Sequence, residues 1–550
     1  MIEKMLSELC VDKYYEFIKK NKFEPSKKAF SEYCVDEDRQ PLNWESCFSD
    51  IDDLRAVVFA TYPDAADYVF NEDSFPEGYA ELLRDEIKKY NRFIVSTLVF
   101  GKHADLNFFN SLQTYARANN ALILLMTCAD AKGTHKRFKV DFDPVFKSDR
   151  CWVVVQDLQL NDKIGICDIQ QSAKQRIPIS SLEKLTATRK SSLIVAGCKQ
   201  LLKYVPNLKG QIPRALMTTG AVTVNDFSNE FFMSKRTSKL AEADYQAGAV
   251  VVEIQDNEQF HFRQIQATED GSFSDLRTRY YPDGRTEEIN EATLVMGDSH
   301  VGANDDVLVD AIQHAFIDGG FVDTVVLHDL CNSASVSYHE QDDVIKLIQR
   351  ANDGSCRLRE EINAIVRYIN DFTNLGVDVI VVNSNHDNHL DKYVRNLASV
   401  SRRDYINMPL AFEALTKMAL GEIDSVLEFL VKERADVKLT HPEKVRWSKL
   451  DESYVKYGTE LGFHGHLGAN GAKGSLKTFE NAFENAVVGH SHSGAIKCKV
   501  FQVGTTSNLD MEYNKGLSSW TRTCCLVHKD GTKQLINFLI QPDGSYSYHV

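Results

Sequence analysis

Residues 292–300 read Ala-Thr-Leu-Val-Met-Gly-Asp-Ser-His, a short apolar strand that ends abruptly in Gly297-Asp298-Ser299-His300. The same construction returns four times further along the chain. Thr324 to Leu327 runs into His328-Asp329, and Val377 to Val382 into Asn383-Ser384-Asn385-His386-Asp387. Tyr457 to Phe463 ends in His464-Gly465-His466, and Ala486 to Val488 in Gly489-His490-Ser491-His492. In an α/β sheet, functional groups collect in the crevice beyond the carboxyl ends of the strands. A lone dyad such as Asp298-x-His300 or His490-x-His492 is commonplace. Five strands delivering Asp, Asn and His to one edge predict a polar cluster.

The residue types fit a pair of divalent metal ions. One carboxylate can bridge two ions about 3.5–4 Å apart, while imidazoles and an amide oxygen fill the other positions. Two such ions polarise a phosphoryl oxygen and lower the pKa of a bound water, which phosphodiester cleavage requires. An imidazole titrating near neutrality is also suited to protonating a leaving oxygen.

The ordered set D-x-H, D, N-H-D, H, G-H-x-H over residues 290 to 545 resembles the calcineurin-like metallophosphoesterase superfamily. That resemblance implies an α/β (α+β) fold, a β-sandwich flanked by helices, with Val503-Gly504-Thr505 returning to the sheet. It implies that Asp298, His300, Asp329 and His492 hold one ion. Asp329 would bridge to a second ion held by Asn385, His464 and His490. His386 would be the general acid, oriented by Asp387. The cofactors implied are two divalent ions, manganese first, with magnesium, iron or zinc as alternatives. His328 stands where the family usually has Gly, and Asn383-Ser384 replaces the Arg-Gly or Gly that often precedes Asn-His, which argues against the Ser/Thr protein-phosphatase branch. His464-Gly465-His466 offers two histidines for one ligand, and the resemblance favours His464, leaving His466 for an outer or substrate contact. The segment Gly468 to Ser475 is not a P-loop, because Lys473 precedes its last Gly. It can still present backbone N–H groups and Lys473 to a phosphate.

Outward from this region, 550 residues and 62.2 kDa correspond to three or four domains at about 150 residues each. The 43% hydrophobic and 26% charged content is that of a globular chain that needs no disulfide or metal staple. No apolar run approaches membrane-spanning length, and MIEKMLSELC carries charges where a signal peptide is apolar, so a cytoplasmic setting is expected. The twelve cysteines form no CxxC pair and read as reduced thiols. Residues 1–50 predict a helical segment with two short helices by residue 35, the second entered through Pro25. Residues 51–225 predict an α/β domain, 226–290 a β-rich connector, and 291–550 the metal-dependent domain. Residues 340–375 read as sheet-covering helices, with Ile345, Leu347, Ile348, Leu358, Ile362 and Ile365 on the apolar face. Residues 410–435 read as a further helical insertion suited to a substrate-selecting cap.

The formal net charge of −15 repels polyanions, so a nucleic acid must meet a local basic patch or metal ions. Between Lys174 and Arg214 nine basic residues face only Glu183, and Arg176, Arg189, Lys190, Lys199, Lys203, Lys209 and Arg214 are the candidates for a phosphate track. A solvated face whose counter-charges lie elsewhere is the competing reading. A basic track joined to a two-metal core suits a nuclease better than a small-molecule phosphatase. The layout resembles the pre-early host-DNA-degrading DNases of T5-like bacteriophages, and that resemblance implies DNA, double-stranded, as partner and work in the host bacterial cytoplasm. A small-molecule or cyclic-nucleotide phosphoesterase, an RNA-directed nuclease and a non-catalytic scaffold are the alternatives. The N-terminal region also offers surfaces for a homo-oligomer.

Overall fold

The computed structural model describes residues 2–21, 27–35, 40–62, 78–129, 142–227, 235–337, 343–400, 404–511 and 514–548. Pro25 lies outside them. The chain is mixed α/β.

Besides the two-residue strand Gln171–Ser172, ten strands precede residue 270 among the described residues: β1 (Arg92–Val99), β2 (Leu122–Ala129), β3 (Cys151–Val153), β4 (Leu158–Asn161), β5 (Ile164–Ile166), β6 (Ser192–Val195), β7 (Leu201–Val205), β8 (Arg214–Thr218), β9 (Gly248–Ile254) and β10 (Phe260–Gln266). Near-continuous apolar runs such as Phe93 to Val99 mark strands covered on both faces. They build a sheet ordered β10-β9-β1-β2-β3, with Gln171–Ser172 also pairing with β2. The segment expected to be a connector therefore contributes β9 and β10 to the first sheet. A small meander, Phe273–Asp275, Thr278–Tyr280 and Thr286–Glu288, follows.

Besides Val445–Trp447 and the hairpin Leu539–Ile540 with Tyr546–Ser547, ten more strands come after residue 290 among the described residues: β11 (Ala292–Val295), β12 (Val322–Leu327), β13 (Asp378–Val381), β14 (Val455–Lys456), β15 (Thr459–Glu460), β16 (Ala486–Val488), β17 (Ala495–Lys497), β18 (Val500–Gln502), β19 (Thr523–His528) and β20 (Lys533–Asn537). They form a second sheet ordered β20-β19-β11-β12-β13, extended beyond β13 by Val445–Trp447.

The remaining strands share one ten-stranded sheet ordered β14-β15-β16-β18-β17-β7-β8-β6-β5-β4. It crosses from the region read as the N-terminal domain into the region read as catalytic. The join is the antiparallel pair β7–β17, with Leu202 opposite Ile496. One core lies against this sheet, and Val95, Leu124, Met217, Val326, Phe501 and Val527 all belong to it. Each outer sheet is covered on its other face by helices. Leu106–Ala118 packs over Ile94 and Ile123, and Leu358–Asn374 over Val325 and Val379.

Residues 2–35 carry the two helices expected, the first longer than foreseen: Ile2–Asn21 packs with Lys27–Tyr33 and Ile51–Thr61 around Tyr14, Phe30, Trp44 and Leu54. One helical expectation changes. The helix Val344–Asp353 covers no sheet, because Ile345 and Ile348 are 69% and 56% exposed. Leu358, Ile362 and Ile365, on the following helix, are buried as expected.

Candidate metal centre

The site forms where β11, β12, β13, the segment after β15, and β16 end. Each strand delivers its polar residues on the turn that follows. Four of these residues, His300, Asp329, His490 and His492, have positive φ of 46°, 42°, 78° and 56°. Non-glycine residues rarely occupy this region, and such strain concentrates where a surrounding structure holds functional groups in place. Gly489 makes the approach possible: a Cβ there would meet Asp298 Oδ1 at 2.4 Å. Its neighbour His490 donates its backbone N–H to Asp298 Oδ2 at 3.0 Å. Ser384 steadies the next turn, its Oγ accepting the Asp329 N–H at 3.0 Å and donating to Val382 O at 2.8 Å.

Two groups of donors result, and they share Asp329. Asp298, His300, Asp329 and His492 bring one ligand atom each within 4.8 Å of one another, and Asp329, His464 and His490 do the same. His300 Nε2 faces His492 Nε2 at 3.0 Å, and His492 Nε2 lies 3.0 Å from Asp298 Oδ2. His464 Nε2 is 3.2 Å from Asp329 Oδ2 and 2.9 Å from Asn385 Oδ1. The same amide oxygen is 3.0 Å from His490 Nδ1. Ring nitrogens and carboxylates turned toward common points, most of them buried, are an arrangement that a cation satisfies. The donor set of imidazole nitrogen and carboxylate or amide oxygen suits a divalent transition metal. The residues thus fit an ion, and this buried Asp/His cluster can hold one.

The electrostatics agree. Burial pushes the Asp298 carboxyl up, but His464 and His492 outweigh it and hold it at about 2. Asp329 is likewise held well below the usual carboxylate range, against its burial, chiefly by His464. Burial favours a neutral His464, yet Asp329 and Asp298 lift that ring to about 9. Burial and the neighbouring His386 take His300 down to about 3. Two ionised carboxylates beside a neutral His300 suit ligation, whereas His464 must give up its proton to bind an ion.

The remaining candidates are placed as follows. His464 is buried in the cluster, whereas His466 stands beside it at 5.4 Å between ring centres, its pKa brought to about 4 first by burial and then by His464. His328 is fully buried with neither ring nitrogen hydrogen-bonded, and its pKa falls to about 4 through burial. His386 borders the open crevice, a cavity of about 370 Å³ also lined by Asp329, Asn385, Lys473, Gly474, His490 and Trp520. Its N–H binds Asp329 Oδ1 at 3.0 Å, and its Nδ1 lies 3.4 Å from Asn332 O. Asp387 does not orient that ring by a hydrogen bond. Its Oδ1 accepts the Cys331 N–H at 2.7 Å and its Oδ2 has no partner, so it fixes the turn that follows Asp329. Burial and the adjacent Asp329 charge push its pKa well up. Two neighbours were missed in the sequence: His389, 4.8 Å from His386, and Trp520, 4.2 Å from His492. His389 is one helical turn from His386, a signal that was present. Trp520 carried none.

The basic stretch is largely neutralised. Arg189 pairs with Asp157 at 2.6 Å, Lys203 with Glu183 at 2.7 Å and Lys209 with Asp510 at 2.5 Å. Lys199 is only 3% exposed and binds Asp244 at 2.6 Å, so it is withdrawn from any nucleic-acid track. Its burial follows from its place between β6 and β7, under the shared sheet's covering loops. Arg176 and Lys190 are exposed, and Arg214 is half-buried at the start of β8. Among the described residues no helix is long and apolar enough to cross a membrane.

Fold and site together define a mixed α/β protein with a buried Asp/His cluster able to hold metal. The chain is similar to Protein A1 of Escherichia phage T5, 26% identical over 472 residues that cover 82% of this chain and 83% of that protein. No family model matches the chain, and no solved structure matches it significantly.

Proposed function

We propose that this chain is a two-metal phosphodiesterase of the calcineurin-like type that cleaves DNA, with double-stranded host DNA as its substrate during phage infection. The observation that carries the reading is the pair of donor groups meeting at Asp329. Similarity to a phage T5 protein over most of both chains supports the phage setting. The donor set favours manganese, with magnesium, iron or zinc able to substitute.

Asp298, His300, Asp329 and His492 would hold one ion, and Asp329, Asn385, His464 and His490 the second. Bound there, such ions supply Lewis acidity and a water acidified enough to attack phosphorus near neutral pH. The protein's own groups do the rest. His386, at the crevice wall with its backbone tied to Asp329, is placed to give a proton to the departing deoxyribose oxygen. Lys473, exposed on the Gly-rich loop that lines the same crevice, neutralises a phosphate of the bound strand. Trp520 offers a ring on which a neighbouring base can stack.

The test is cleavage of linear and closed-circular double-stranded DNA with manganese, with magnesium and with chelator. His386→Ala and a chromogenic phosphodiester run alongside. The reading expects metal-dependent DNA loss that drops about 10²–10⁴-fold in the variant, the usual worth of a general acid. Hydrolysis of the small ester with DNA left intact would instead identify a small-molecule phosphoesterase. Metal binding without either activity would leave a scaffold.

A further inference from the structure

The strand orders of the two halves are the same. β10-β9-β1-β2-β3 matches β20-β19-β11-β12-β13, antiparallel and parallel pairs falling in the same places. In the shared sheet β4-β5-β6-β8-β7 mirrors β14-β15-β16-β18-β17, again pair for pair. Finer details agree as well. Thr97 N–H donates to Gly220 O at 3.2 Å, as Asp298 N–H does to Gly504 O at 3.1 Å. Asp105 N–H donates to Val222 O and Asp305 N–H to Thr506 O, each at 2.9 Å. Both aspartates then cap the next helix, accepting from Phe108 and Leu308 N–H respectively. Neither Gly220 nor Gly504 has room for a Cβ, which would strike the Gln246 and Thr521 carbonyls.

We infer that residues 92–266 and 292–537 are two copies of one sandwich fold, and that the N-terminal copy is a metal-free partner built to pair with the metal-bearing one. Loss of the ligands follows from the equivalences. Thr97 takes the place of Asp298 and Val99 that of His300, and the matched hydrogen bonds from Phe100 N–H to Cys128 O and from Val301 N–H to Leu330 O, each at 3.0 Å, put Thr127 at Asp329. Gly197, whose N–H binds Thr97 Oγ1 at 3.0 Å, takes the place of His490, whose N–H binds the Asp298 carboxylate. The matched hydrogen bonds from Gln246 N–H to Cys198 O at 2.8 Å and from Thr521 N–H to His492 O at 2.9 Å put Cys198 at His492, with Lys199 the next residue. In the C-terminal copy the Nδ1 atoms of His300, His464 and His492 lack hydrogen-bond partners. In the N-terminal copy Thr97 Oγ1 also pairs with Thr219 Oγ1 at 2.7 Å, and the buried Lys199 ammonium closes on Asp244. A fixed ion pair and hydroxyl pairs occupy that edge.

The role of the silent copy follows from the join. Leu202 and Ile496, opposite one another across β7–β17, are equivalent residues, because Leu202 pairs with Met217 as Ile496 pairs with Phe501. The halves therefore meet about a local two-fold axis, edge strand to edge strand, as subunits of a symmetric dimer would. Each copy covers the other's open sheet edge.

Two measurements test this in the full-length chain. Manganese is counted per chain by elemental analysis after equilibrium loading, in the wild type and in Asp298→Ala/Asp329→Ala. Metal in the wild type and none in the variant is expected, whereas ions retained by the variant would place metal in the N-terminal copy and overturn the inference. If the wild type takes up no metal, the two-metal reading fails by itself and the second measurement decides. Leu201→Cys with Lys497→Cys puts thiols at directly opposed positions of the join. The expected result is a disulfide between these two positions under mild oxidation, read by peptide mass spectrometry. A folded chain without that cross-link would refute the paired copies.

Discussion

At the residue scale, the cluster is governed by protons that a metal must displace. His464 carries its proton up to about pH 9 in the metal-free site, against an ordinary value of 6.5. Its folded pKa is raised, so the stability it lends the apoprotein is full below about pH 6.5 and is lost as pH rises through about 9. Metal needs the neutral ring. Affinity for manganese is therefore expected to rise by about tenfold per pH unit between 7 and 9, by isothermal titration, while one proton is exchanged. A flat profile would mean that His464 does not ligate. Ser384 supplies a second test, because its hydroxyl holds the Asp329 turn from outside the cluster. Ser384→Ala is expected to lower metal affinity about 10–100-fold with the fold intact, as outer partners of ligands commonly do. The members of the cluster were readable in the sequence, since each ends an apolar strand. Asp387's contact was not, because a carboxylate's choice between a neighbouring ring and a backbone N–H on the turn after β12 is a matter of three-dimensional distance.

At the scale of single elements, the turn after β16 and the strands β9 and β10 are the informative places. Gly489→Ala would drive a methyl into Asp298 Oδ1, so loss of metal binding with an unchanged circular dichroism spectrum is expected. In β10, Arg263 is buried and gives Nη2 to Asp275 Oδ2 at 2.6 Å and to Glu253 Oε1 of β9 at 2.9 Å. Arg263→Met removes the ion-pair partner of buried Asp275, while Glu253 keeps Arg92 at 3.0 Å, and should cost about 3–5 kcal/mol in denaturant unfolding. Strand identity was legible wherever β-branched and apolar runs ended in turns. The helix Val344–Asp353 was misjudged because periodicity shows that an apolar face exists, not what covers it. In the basic stretch, the charges that meet Arg189, Lys199 and Lys209 come from Asp157, Asp244 and Asp510, beyond residues 174–214, where a count along the sequence does not see them.

At the scale of the whole molecule, the shared ten-stranded sheet makes the two halves one folding unit. Residues 291–550 expressed alone would expose the β17 edge and its half of the common core. They are expected to be insoluble, and co-expression of residues 1–290 should restore solubility, which sedimentation of lysates would read. A soluble, metal-binding C-terminal fragment would contradict the shared core. The sequence showed a change of character near residue 290 but not the repetition across it, because a duplicated fold keeps its strand pattern while its polar turn residues are replaced. Thr97 and Asp298 share a position in the fold and nothing in chemistry. The central claim concerns the chemistry that the second copy kept, and it is tested most directly by anomalous diffraction at the manganese edge from crystals grown with manganese. Two peaks about 3.5–4 Å apart, one on each side of the Asp329 carboxylate, are the predicted result. A single peak, or peaks away from Asp329, would contradict it.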